Sequence, residues 1–82
     1  MNWNLELMSW NLEGLRVEAG YLDGTVPVRG VVHLSRVKYG GGVSHHLTLD
    51  EGFTSVGGRV RRDAGEGIIV DHKYITRVME AS

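Results

Sequence analysis

The spacing of apolar residues along this chain changes near Gly14. Before it, Leu5, Met8 and Leu12 recur at intervals of three and four, and Trp3, Leu7 and Trp10 form a second, offset stripe. This spacing predicts a short N-terminal helix over residues 1–12, with Asn4 as a cap. Trp3, Leu5 and Leu7 also alternate, so part of the segment fits an edge strand equally well.

From Gly14 the period is two. Leu15, Val17, Ala19 and Tyr21 alternate with Arg16, Glu18 and Gly20, the pattern of a half-buried strand, and Asp23-Gly24 marks a tight turn. Val26, Val28, Gly30, Val32 and Leu34 then share one face of a long second strand. Arg29, Val31, His33, Ser35 and Val37 occupy the other. The glycine run at 40–42 closes a hairpin, and pairing Lys38 with Val43 sets Leu34 beside Leu47 and Val32 beside Leu49. In the third strand Val43, His45, Leu47 and Leu49 are expected inward, with Ser44, His46, Thr48 and Asp50 outward. Thr54, Val56 and Gly57-Gly58 suggest a bent fourth strand that resumes at Val60, followed by a polar turn over residues 61–67. Ile68-Ile69-Val70 reads as a central fifth strand, residues 71–74 as one helical turn, and residues 75–79 as the closing strand. The expectation is a single all-β domain over residues 1–82, a small closed barrel over residues 14–79. Closure removes open sheet edges.

Composition narrows the function. A chain of 82 residues buries only roughly 60% of its unfolded surface, and with no cysteine it has neither disulfide staples nor thiolate chemistry. Oligomerisation is the remaining route to extra burial. Nine basic and ten acidic residues give a net charge of −1, so binding to a phosphate backbone requires basic residues gathered on one face. Apolar runs stop at three residues, against the ~20 that span a bilayer. With no early basic residues resembling a signal peptide, the expected location is cytoplasmic, with no membrane partner.

Several of these features succeed one another in a familiar order. After the N-terminal segment come Leu15-x-Val17, Asp23-Gly24, Val28-x-Gly30, a strongly bent hairpin, Leu47-x-Leu49-Asp50, Gly67-Ile68-Ile69-Val70 and a turn into Ile75. The order resembles the Sm-like family between Gly14 and Val78. The resemblance implies a five-stranded SH3-like barrel with a short N-terminal helix, whose subunits join edge to edge into rings. In that family an aspartate-aromatic-x-asparagine pattern between the second and third strands holds a uridine base. Here that stretch reads Ser35-Arg36-Val37-Lys38-Tyr39-Gly40-Gly41-Gly42, without an asparagine. The family's arginine-glycine pair is replaced by Asp71-His72-Lys73, and Ile75 keeps the place of the isoleucine next in that motif. The RNA-binding residues of the family are therefore not carried over.

The chemistry that the residues themselves suggest is binding. Arg36, Lys38 and Tyr39 converge on the Gly40–Gly42 turn, where guanidinium, ammonium and aromatic ring suit phosphate and base contacts. Arg61 and Arg62, with Arg59, form a second basic cluster, and Lys73 and Arg77 lie further along the chain. Single-stranded RNA is one expected partner, although Asp63 and Glu66 offset the second cluster and favour a solvated turn. A protein partner is the other. Trp3, Leu7 and Trp10, with outward Val31 and Val37, offer apolar area suited to a homo-oligomer or an adaptor. Histidines 33, 45, 46 and 72 have no compact metal-site spacing, and His45 and His46 face opposite sides of a strand. No metal, cofactor or catalytic set is expected. The serines lack a nucleophile-elbow pattern, the glycine run is no Walker loop, and Asp50-Glu51 reads as a solvated turn.

Overall fold

A computed structural model describes residues 10–55 and 57–79, which are all-β. In chain order the strands are β1 (Arg16–Tyr21), β2 (Val26–Val37), β3 (Val43–Leu49), β4 (Phe53–Thr54), β5 (Arg61–Arg62), β6 (Gly67–Asp71) and β7 (Ile75–Met79). A single 3-10 turn, His72–Tyr74, joins β6 to β7. Five strands form one antiparallel sheet in the order β6-β3-β2-β1-β7, and β4 pairs with β5 as a separate hairpin.

The sheet does not close into a barrel by hydrogen bonding. Among the described residues its end strands, β6 and β7, pair only with β3 and β1 respectively. It curls, however, so that β6 approaches β1 across the core. The three-residue turn at 72–74 delivers Ile75 directly opposite Ala19 of β1, so that no described strand pairs with the outer edge of β6. The Ile68–Val70 segment is therefore an edge strand rather than a central one. Ile68 and Val70 are buried, but Ile69 between them is 56% exposed.

The bend in β2 is fixed at Gly30. A Cβ at this position would collide with the Thr48 carbonyl oxygen, so the approach of β2 to β3 admits only glycine. Beyond the bend the expected hairpin register does not hold. Val37 pairs with Val43 and Ser35 with His45, then the register shifts between Val32 and Leu34, and Val32 pairs with Leu47. His33 is the extra residue of this bulge, and a bulge inverts the faces of the residues beyond it. Leu34, expected inward, is 40% exposed, and Ser35, expected outward, is buried.

The N-terminal helix expected over residues 1–12 falls largely outside the described residues. Residues 10–12 are not helical, and there is no α-helix among the described residues. Leu12 is nonetheless wholly buried with Val17, Val32 and Leu47 in an aliphatic core. The backbone N–H of Gly14 donates to the Val32 carbonyl and that of Val32 to the Leu15 carbonyl, fastening this strap to β2. The bent fourth strand is instead the β4–β5 hairpin, in which Val56 lies outside the described residues. Arg61 and Arg62 form β5, and the polar turn is shortened to residues 63–66, where the Asp63 amide donates to the Glu66 carboxylate. Phe53 anchors the hairpin edge-on to Tyr21, with ring centroids 5.6 Å apart.

Candidate functional site

The β2–β3 hairpin and the 3-10 turn stand side by side because Arg36, Ser44 and Asp71 occupy one row across β2, β3 and β6. Lys38 lies two residues beyond Arg36, just past the end of β2, and its Nζ donates to Asp71 Oδ1 at 2.8 Å. That hydrogen bond holds the Asp71 carboxyl below the usual carboxylate range. Lys38, Gly42, Val43, Asp71, His72 and Lys73 line an open groove of about 430 Å³. Gly40, Gly41 and Gly42 all have positive φ (90°, 98° and 81°), the left-handed conformation that lets the chain reverse beside this groove.

Of the basic residues expected to act together, Lys38 and Lys73 share the groove. Arg36 is exposed on the adjoining row, and Tyr39 is fully exposed at the tip. Arg61 and Arg62 do not line it. Arg61 pairs with Asp63 at 3.3 Å, and Arg62 donates to the Arg61 carbonyl within the other hairpin. Lys73 also sits over the Tyr74 ring, 5.2 Å from its centroid.

Of the apolar contact candidates, Trp3 and Leu7 lie outside the described residues. Trp10 is half-exposed, Val37 is exposed and Val31 is partly buried. Two further apolar residues, Leu34 and Ile69, are exposed without any signal in the sequence. They flank His46 in a single cross-strand row on the outer face, ending at the open edge of β6. The bulge and the edge position expose them, and neither is visible in the apolar pattern.

Behind the groove lies a buried polar relay. The Leu12 backbone N–H donates to Ser35 Oγ (3.0 Å), Ser35 Oγ lies 2.8 Å from His45 Nδ1, and His45 Nε2 lies 2.8 Å from His72 Nδ1. Glu13 clamps the same strap by accepting the Ser35 N–H at 2.9 Å. Ser35 Oγ can accept two hydrogen bonds, so we assign its proton from its need for an acceptor: among the described residues His45 Nδ1 is the one within reach. His45 is then the neutral Nε2–H tautomer and donates to His72. His45 is fully buried, and its pKa is pushed down from 6.5 to about 4, first by burial and then by the neighbouring His72. His72 is thus part of a core-to-surface connection rather than an isolated surface ring. His33 and His46 meet edge-on outside the sheet, their centroids 5.9 Å apart.

The relay is not arranged for nucleophilic catalysis, because the Ser35 hydroxyl is buried and engaged on both sides. The adjacent acids point to separate partners. Asp50 pairs with Arg16, and Glu51 lines a different groove beside Glu18 and Arg29. Among the described residues, no three metal-ligating side chains converge, and no helix is long and apolar enough to cross a membrane. No family model, curated protein or solved structure matches the chain.

Proposed function

We propose that this protein is a small non-catalytic binding module of the Sm-like or SH3-like kind that works as an oligomer through edge-to-edge contact with other protein chains. The observation that carries this reading is the pair of strands at the two ends of one curled antiparallel sheet, β6 and β7, each with a single neighbour among the described residues. An open edge is a template for strand addition, and a head-to-tail pairing of two different edges propagates into a ring. The edges differ in charge in the useful sense: Glu66 precedes β6, whereas β7 carries Arg77. Ile69 and Leu34 beside the β6 edge supply apolar area that a neighbouring subunit would cover. A molar-mass measurement by light scattering in dilute buffer tests the reading. An assembled species that dissociates on Ile69→Asp supports it, and a clean wild-type monomer overturns it.

A second reading, single-stranded RNA as ligand, has its own support in the groove where Lys38 and Lys73 flank the glycine hairpin next to Arg36 and Tyr39. Against it stands the Lys38–Asp71 pair, which offsets part of the positive charge there. Titration with a single-stranded RNA at two salt concentrations separates the readings. Phosphate-driven binding weakens steeply with salt, and protein contact through an apolar edge does not.

A further inference from the structure

We propose that the Ser35–His45–His72 relay is an acid-sensitive latch, which holds the strap at Leu12 in the core at neutral pH and releases it when His45 takes up a proton. This inference is independent of the binding reading above. It rests on the 2.8 Å contacts of buried His45 on both ring nitrogens and on the tautomer assigned above from the Ser35 proton's need for an acceptor. On that assignment Leu12 N–H, Ser35 O–H and His45 Nε2–H each donate one step toward the surface.

An added proton has no neutral place in this row. On His45 it must sit at Nδ1, which faces the Ser35 hydroxyl. The excess donor therefore arrives at Ser35. The Ser35 oxygen would then accept from both Leu12 and His45, and its own proton would have no acceptor among the described residues. A buried donor without an acceptor is costly, and water can take the Ser35 proton only where the strap at Leu12 lifts away from the buried hydroxyl.

Among the described residues, the charged groups around the row are engaged with partners of their own. From the strap, Glu13 is already engaged with the Ser35 N–H. From the hairpin and the turn, Lys38 and Asp71 pair with each other, and Lys73 lies next to His72 in sequence and over Tyr74. On β1, Arg16 and Glu18 are held by Asp50 and Arg29, and Tyr21 packs on Phe53. On β3, His46 turns outward to His33. The depressed pKa of His45 puts the transition below neutrality, toward the upper end of the carboxylate range.

Hydrogen exchange at the Leu12 amide reads the latch directly. After correction for the intrinsic pH dependence, exchange at Leu12 is expected to accelerate at least ~10-fold as pH falls from about 6.5 to about 4, while Val17 and Val32 stay protected. The His45 ring resonance should titrate with the same midpoint. In His45→Asn, whose carbonyl still accepts from Ser35 but cannot be protonated, Leu12 should stay protected throughout. If that variant does not fold, the coincidence of the two wild-type midpoints decides. Leu12 protection that survives His45 protonation overturns the latch, as does loss of protection at Leu12 only together with Val17 and Val32.

Discussion

Ser35 Oγ and His45 Nδ1 meet at 2.8 Å in the interior of a sheet otherwise lined with branched aliphatic side chains. Ser35 reaches that position because the bulge at His33 turns it inward, and His45 because it lies directly across the β2–β3 ladder. A polar pair in so small a core has to be fully satisfied to be tolerated, and every buried side-chain polar atom described has a partner.

The first consequence is a pH-dependent stability. The unfolded His45 ring takes up its proton near 6.5 and the folded ring only near 4, so the unfolded state binds more protons between those values. Stability should be complete above about pH 6.5 and fall as the pH approaches 4, by about 3 kcal/mol at most. Denaturant titrations at a series of pH values measure it, and His45→Asn should flatten the curve across this window.

Leu12 belongs to the core although it precedes the first strand. Leu12→Ala should destabilise the domain by about 2–5 kcal/mol, the range for a fully buried leucine, as read from the shift in denaturation midpoint. An effect below about 0.5 kcal/mol, within the range of surface substitutions, would mean that the strap is not packed in solution.

Gly30 is required by close approach rather than by a special backbone angle. Gly30→Ala would force its Cβ against the Thr48 carbonyl and part β2 from β3 at the bend. A loss of about 1–3 kcal/mol is expected, with weakened protection at Leu49, the residue paired with Gly30. Thermal denaturation combined with amide exchange would locate the damage.

For the RNA reading, Lys38→Ala and Lys73→Ala should each weaken binding uniformly across sequences and reduce the salt slope by about one. Arg61→Ala should have little effect, since Arg61 is paired with Asp63 away from the groove. Fluorescence anisotropy with a labelled oligonucleotide distinguishes these outcomes.

Much of this architecture is legible in the residues. Val17 and Ala19, Leu47 and Leu49, and the inward His45 all agree with two-residue alternation, and the turn at 72–74 with its length. The bulge does not, because the alternation of β2 is equally apolar on both faces around Val31 and Val32, leaving the register to be set by contacts distant in sequence. Ile68-Ile69-Val70 has the composition of a doubly covered strand, yet chain connectivity puts it at an edge. The relay is hidden for the same reason. Ser35, His45 and His72 lie on three different elements, and no local spacing connects them. The meeting of Lys38 with Lys73 in one groove is legible only in part, from their positions at the hairpin and at the turn.

The bulge at His33 acts on the chain as a frameshift acts on a message. One unpaired residue changes the phase in which everything from Leu34 to Val37 is read by the core. Without it, leucine would be read as interior and serine as exterior. The result would be an oilier protein with no acceptor for the Leu12 amide and no polar thread from its centre to its surface. The inserted residue gives up a buried leucine and gains an interior that can sense acid.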